Sequence, residues 1–340
     1  MNGVIIIDKP AGWTSHDVVN RMRRFLGQRS VGHLGTLDPL ATGVLPLVTG
    51  SLTRLAQFYT ASEKTYEGVI RFGFATDTYD ADGQPVEANV GTAAPGCTEG
   101  RRPDLALDTL QQLAARFQGV IEQVPPPFSA KKIHGVPAYK LARKRKEVVL
   151  KPVQVEIKEF AITAVEGDRA TFHARVASGT YMRSVAHEMG QLQGSGAHLE
   201  SLRRTAVAEF DITQAHTLEQ LEGQVSEGKT TEAQMIAAQT KPCHSEPGEN
   251  PGEEPAVSNQ ERIANLFVHP RELLPQFPSV TADEPTAARI RSGRPINLPE
   301  LSRARQVKVF QGQRELIAIA TRVAGTLFHP KIVFQVNSRG

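Results

Sequence analysis

Apolar residues recur in two rhythms along this chain, one of period two and one close to 3.6, and together they predict its elements. Val4–Ile7 is an unbroken apolar run and reads as a strand. Ser15 stands as N-cap to a helix through Arg21, Arg23 and Arg24, with Gly27 as its stop. Ser51–Tyr59 reads as a short amphipathic helix. Lys64–Phe74 alternates as a strand, with Tyr66, Gly68, Ile70 and Phe72 on one face. Asp108 opens a helix with Gln111 at capping-box spacing, closed by Gly119. Val153–Ala164 and Arg169–Ala177 read as strands paired across a Glu166-Gly167-Asp168 turn. Thr180–Leu192 has helical spacing, and His198–Phe210 is mostly extended. A regular strand-helix-strand rhythm is missing, so the expected class is α+β: a mixed, largely antiparallel sheet flanked by helices.

Residues 223–262 break these rhythms. The run Glu246-Pro247-Gly248-Glu249-Asn250-Pro251-Gly252-Glu253-Glu254-Pro255 offers almost nothing to bury and reads as an insert or linker. Beyond it, short strands at Val307–Phe310 and Leu316–Ala320, separated by a Gly312 turn, predict a small β-domain. The expected division is 1–222, 223–262 and 263–340.

Composition adds limits. A chain of 340 residues suits two domains, and 40% hydrophobic content allows a proper core. Two cysteines, Cys97 and Cys243, are too few for a disulfide framework and have no partner at metal-ligand spacing. The N-terminus has no basic leader and reads as a strand rather than a signal peptide, and no run is long enough to span a bilayer. These features predict a cytoplasmic protein with no membrane association. The net charge of +3 hides a division: Leu221–Arg262 carries eight glutamates against three basic residues, a balance of −5, so the remainder carries +8. Lys131–Lys158 holds nine Lys/Arg against Glu147 and Glu156, and follows Pro125-Pro126-Pro127-Phe128-Ser129-Ala130. Such a run is often only a solvated face; beside a proline-rich loop it points to phosphate contacts instead.

The densest chemistry lies in Gly32-His33-Leu34-Gly35-Thr36-Leu37-Asp38-Pro39-Leu40-Ala41-Thr42-Gly43. Glycines and Pro39 make a tight, rigid wall carrying one carboxylate, Asp38. An arbitrary Asp-Pro is usually just a turn, but this string resembles the aspartate motif of the TruB family of tRNA pseudouridine synthases. The resemblance extends to Gly3–Gly12, to Lys64-Thr65-Tyr66-Glu67, and to Gln123–Lys132, which is similar to the family's RNA-gripping thumb, here about 123–146. It extends also to Ser178–Ser184 with Gly196–Leu199 and Leu202-Arg203-Arg204. The order is kept over roughly residues 3–215, and the C-terminal part more loosely resembles a PUA-like RNA-binding domain.

The resemblance implies a pseudouridine synthase fold and an isomerase. It would break uridine's N1–C1′ bond, rotate the uracil and join C5 to C1′, at position 55 in the T loop of tRNA. That chemistry is redox-neutral and implies no cofactor and no metal. No Walker loop or Gly-x-Gly-x-x-Gly string occurs, and His187-Glu188 has Gln191 where a zincin helix needs histidine. By resemblance Asp38 is the catalytic carboxylate, acting on sugar, base or a ribose proton. Arg183 is the cation that favours its ionised form where burial would oppose it. Tyr66 lies against the uracil and relays the C5 proton. Tyr181 and Leu202 line the base pocket, and His33 fills the space that the flipped base leaves. Each has a plainer reading: core tyrosine, helix-surface arginine or structural histidine. Lys131, Lys132, Arg143 and Lys144 would grip the RNA.

The implied partner is tRNA, met by a monomer with no obligate protein partner. Three departures stand out: Arg145 where the family has glycine, Ala177 where cysteine is common, and the acidic insert. Rival readings are a guide-RNA-dependent synthase, against which the thumb argues, and a tRNA-folding chaperone, which would not need Asp38. A glycosidase would need a second acid that no position supplies.

Overall fold

A computed structural model describes residues 1–86, 105–129, 131–133, 135–138, 141, 150–224 and 258–335. Arg143, Lys144, Arg145 and most of the acidic insert lie outside the described residues, as does much of the expected thumb.

Nine strands form the main sheet. They are β1 (Gly3–Lys9), β2 (Val31–His33), β3 (Thr42–Thr49), β4 (Lys64–Phe72), β5 (Gly119–Gln123), β6 (Val153–Glu166), β7 (Arg169–Val176), β8 (Ala197–Val207) and β9 (Phe210–Asp211). The order is β1-β3-β8-β4-β7-β6-β5, with β2 on β3 and β9 on β8. Every pairing is antiparallel except β3 with β8, which is parallel and pairs Arg204 with Gly43. The sheet is therefore mixed and largely antiparallel, as the absence of crossover rhythm implied.

The period-two reading of β4 holds, since Tyr66, Gly68, Ile70 and Phe72 are all buried. Helices α1 (Ser15–Leu26), α2 (Leu107–Ala115) and α3 (Met182–Gln193) contribute Val18, Met22, Leu110, Leu113, Val185 and Met189 to one core with this sheet. Gly190 makes the close α3–β8 approach possible, because a Cβ there would stand 2.1 Å from the Ala197 nitrogen.

Several boundaries differ from the sequence reading. The α1 N-cap is Thr14, whose hydroxyl and Asp17 complete a capping box. Ser15, one residue on, turns inward and bonds both the nitrogen and the carbonyl of Leu37. Helix α2 begins after Ala106 with no side-chain cap, and Gln111 donates instead to the Ile162 carbonyl across the sheet. Ser51–Tyr59 divides into a 3-10 segment, Gly50–Leu55, and a single α turn, Ala56–Tyr59. Tyr181 caps α3, so Thr180 and Tyr181 stay extended and face the site.

A second sheet is built from β10 (Ser279–Ala282), β11 (Ile296–Asn297), β12 (Gln306–Gln311), β13 (Glu315–Ala324) and β14 (Leu327–Val333). It packs against the first, because Val4, Ile6, Val44 and Val48 share a hydrophobic cluster with Phe310, Leu316, Ile319 and Ile332. Glu209 joins them too, accepting from the Tyr59 hydroxyl at 2.5 Å and from the Leu274 nitrogen at 2.8 Å. Before entering the second sheet the chain returns to α1, where Asn259 and Gln260 donate to the Phe25 and Leu26 carbonyls.

Candidate active site

His33, Asp38, Tyr66, Tyr181, Arg183 and Leu202 come from four separate stretches of chain, and all six line one cavity of about 410 Å³. That volume lies in the range of small-molecule sites. Each is delivered by its local element. The β2–β3 connection carries Asp38; period two turns Tyr66 inward from β4; the first turn of α3 brings Arg183; β8 brings Leu202.

Asp38 is the accessible acid of the site, its side chain 39% exposed, while that of Arg183 is 6% exposed. Arg183 Nε stands 2.9 Å from Asp38 Oδ2. That N–H is not aligned on the oxygen as a hydrogen bond requires, so attraction of charges dominates the contact. The rest of the guanidinium is bonded more regularly, to the Thr78 carbonyl at 3.2 Å and the Phe128 carbonyl at 3.0 Å. On its far side lies a second carboxylate, Asp80, with Oδ2 3.4 Å from Arg183 Nη1. Burial pushes the Asp80 carboxyl up, against the hydrogen bond from Thr78 and the Arg183 charge. One buried cation thus lies between two acids, the outer one open to the cavity and the inner one walled off.

The loop bearing Asp38 is held from below by two further cations. Arg204 is fully buried and donates to the carbonyls of Gly35 at 3.0 Å, Thr36 at 3.1 Å and Val44 at 2.8 Å. Burial works against its charge, while the nearby Tyr66 side chain and Asp38 favour it. Lys9, buried at the end of β1, donates to the Pro10, Trp13 and Pro39 carbonyls at 2.8, 2.6 and 3.1 Å. Burial presses this ammonium down to about 8, and the Asp38 charge opposes the shift. Three acceptors use all three of its protons, so the bonded form is the cation. Lys64, also on the cavity wall, is likewise pressed down to about 8, by burial first and then by Arg204.

Tyr181 is set by Gln123. The buried amide of Gln123 accepts from the Tyr181 nitrogen at 2.9 Å and donates to its carbonyl at 3.2 Å. Burial and then the Asp38 charge push the Tyr181 phenol up, so it is the neutral phenol that faces the cavity. His33 is half-buried, and burial lowers its imidazole, with Arg204 and His16 acting in the same direction. Of the four basic residues expected to grip RNA, Lys131 is exposed and Lys132 begins a two-residue strand.

Arg204, Asp80, Lys9, Lys64 and Gln123 were not among the expected site residues. Arg204 had a signal, since period two puts it on the same face of β8 as Leu202, where an arginine must find partners. Asp80 had none, because its pairing with Arg183 depends on how the chain returns after β4.

Known proteins resemble this chain in sequence and in fold. Residues 23–182 match the model of the TruB family pseudouridylate synthase N-terminal domain, and 183–245 match that of the tRNA pseudouridylate synthase B C-terminal domain. A "tRNA pseudouridine synthase B" from Solibacter usitatus is 44% identical over 336 residues, covering 98% of this chain and 100% of that protein. One of the same name from Syntrophotalea carbinolica is 44% identical over 222 residues, covering 65% and 69%. Among solved structures, a Cbf5-Nop10-Gar1 complex contains a chain with TM-score 0.63 and 22% identity, covering 99% of this chain and 84% of that one. At that identity the likeness concerns the fold alone. Fold and family models together define a pseudouridylate synthase. The chain belongs to the TruB family, which the full-length relative establishes.

Proposed function

We propose that this enzyme converts uridine to pseudouridine at position 55 in the T arm of tRNA, with Asp38 as the catalytic carboxylate. The observation that carries the reading is the pairing of Asp38 with a buried Arg183 on the wall of a cavity large enough for one nucleoside. Relatives named tRNA pseudouridine synthase B support the choice of RNA.

The reaction breaks N1–C1′, turns the uracil, forms C5–C1′ and moves one proton from C5 while N1 gains one. Nothing is oxidised or released. Asp38 is the acid that the cavity leaves accessible, and Arg183 lies against it at 2.9 Å and holds it in place. The Tyr66 phenol, on the wall of the same cavity, is the group we assign to relay the C5 proton. The uridine must first be drawn out of its loop, which costs a few kcal/mol. His33 at the rim enters the gap, and Lys131, Lys132, Arg143 and Lys144 hold the backbone. The enzyme acts as a monomer in the cytoplasm with no obligate protein partner and no guide RNA. No helix among the described residues is long and apolar enough to cross a membrane.

The test uses the purified chain and an unmodified tRNA transcript without guide RNA, with carbodiimide labelling to read isomerisation. Label should appear at position 55 with the parent chain and be absent with Asp38→Asn. Affinity for tRNA should stay within several-fold in that variant, since phosphate contacts dominate it. Label elsewhere, or turnover by Asp38→Asn above a few per cent of the parent, would falsify the reading.

A further inference from the structure

Trp13 is the only tryptophan in the chain. At 37% exposure it is also the only aromatic among the exposed large hydrophobic side chains of the described residues; the others are Val or Leu. Isolated exposed apolar residues are ordinary. What distinguishes Trp13 is how firmly its backbone is fastened, and to what.

The segment Gly12–Ser15 is bonded to both neighbours of Asp38. On one side, Ser15 Oγ accepts from the Leu37 nitrogen at 2.8 Å and donates to its carbonyl at 3.0 Å. On the other, the Gly12 nitrogen donates to the Pro39 carbonyl at 2.9 Å. Lys9 Nζ bridges the Trp13 carbonyl at 2.6 Å to the same Pro39 carbonyl at 3.1 Å. Thr14 then fixes the next residue through its capping box with Asp17. The backbone under the indole is therefore fastened to the catalytic loop, while the ring itself is partly open to solvent.

Trp13 does not line the cavity that holds Asp38. A uracil in that cavity would be out of its reach, but the nucleotides before and after the uracil must pass close to Asp38, and the backbone around Trp13 is bonded to the residues on both sides of that acid. We propose that Trp13 is a stacking platform for a nucleobase adjoining the flipped uridine. This extends the tRNA reading above and rests on it. Base–aromatic stacking is tolerant of sequence because every base has a π-face, and it needs a ring whose position is set beforehand. An unstacked neighbour left by base flipping is the partner with such a face to offer.

The sole tryptophan makes the test direct. Asp38→Asn, in which turnover is blocked, is titrated with a T-arm stem-loop while acrylamide quenching of indole fluorescence is followed. Access of acrylamide should fall at least about twofold at saturation. Stacking of one base corresponds to about 5- to 150-fold in affinity, so Trp13→Ala should raise Kd within that range. Trp13→Phe, which keeps a π-face, should stay within about threefold. With Asp38 intact, kcat at saturating tRNA should change less than about twofold in both variants. Unchanged quenching, or a Kd for Trp13→Ala within twofold of the parent, overturns the proposal. A loss shared equally by Trp13→Phe, or one that follows a lowered melting temperature, assigns the indole to packing and overturns it as well. Pseudouridine formation by the parent chain is read separately, so failure of the stacking platform is distinguishable from failure of the tRNA reading.

Discussion

A Cβ on Gly43 would stand 2.2 Å from the carbonyl oxygen of Arg204. The two residues are paired in the parallel register between β3 and β8, and Gly43 has a φ of +96°. This close approach lets the Arg204 backbone lie against β3 while its side chain reaches under the Asp38 loop to three carbonyls. Gly43→Ala combines backbone strain with a backbone clash. It should cost on the order of 3 kcal/mol, read as a lowered urea midpoint. A midpoint equal to the parent's would mean that the strands separate easily there.

Arg183 contacts Asp38, Asp80 and the carbonyls of Thr78 and Phe128 with one planar group. A lysine keeps the charge but is a single point and cannot span these partners. Arg183→Lys should therefore lower kcat by about 100-fold or more, in the range typical of removing one preorganised electrostatic donor. The Kd for tRNA should stay within several-fold. Loss of binding in step with kcat would make the residue an RNA-binding group instead.

Tyr66→Phe preserves the ring in its buried place and removes only the hydroxyl. If this phenol carries the C5 proton, release of tritium from C5-labelled uridine should slow by about 100-fold, within the usual span for general acid–base groups. tRNA should remain bound. Tritium release at the parent rate would remove Tyr66 from proton transfer and leave it as a packing residue.

Lys64 gives a stability prediction with a definite sign. Its folded-state value near 8 lies below the ordinary 10.5, so between these limits the unfolded chain binds more protons. Stability from this group then rises with pH across the window, and below about 8 the penalty for burying the charge applies in full. Lys64→Met removes that penalty. The melting temperature of the variant relative to the parent should be higher at pH 7 than at pH 10. A difference that does not vary with pH would show that Lys64 titrates normally.

Changing Lys131, Lys132, Arg143 and Lys144 together to alanine should weaken tRNA binding and flatten its dependence on salt. For every phosphate that is no longer neutralised, the slope of log K against log salt should fall by about 0.7–0.9. A slope equal to the parent's would make this run a solvated face.

Much of the site could be read in the linear order of residues because its chemistry is local. Asp38 stands in a loop whose glycines and proline define its shape within a dozen positions. Tyr66 faces inward by the period of two that also buries Gly68, Ile70 and Phe72. The sheet was legible as mixed and mainly antiparallel for the same reason: alternation and turn residues act over neighbours. Local signals failed where two acceptable choices stood side by side. Thr14 and Ser15 can both cap a helix, and the inward bond from Ser15 to Leu37 settles which one does.

The cations beneath the catalytic loop show the other limit. A sequence marks Lys9 as charged and therefore surface-seeking and gives Arg204 an inward face without naming its partners, yet both are completely buried. Their partners are backbone carbonyls from remote stretches, and carbonyls leave no signature in a sequence. Likewise, Asp80 becomes part of the site only because the chain after β4 folds back beneath Arg183. Short motifs that resemble the TruB family were enough to name the acid, the tyrosine and the arginine that meet in the cavity. Which buried charges hold them there depended on long-range packing, since the energy of a buried charge is set by the partners that the fold brings to it.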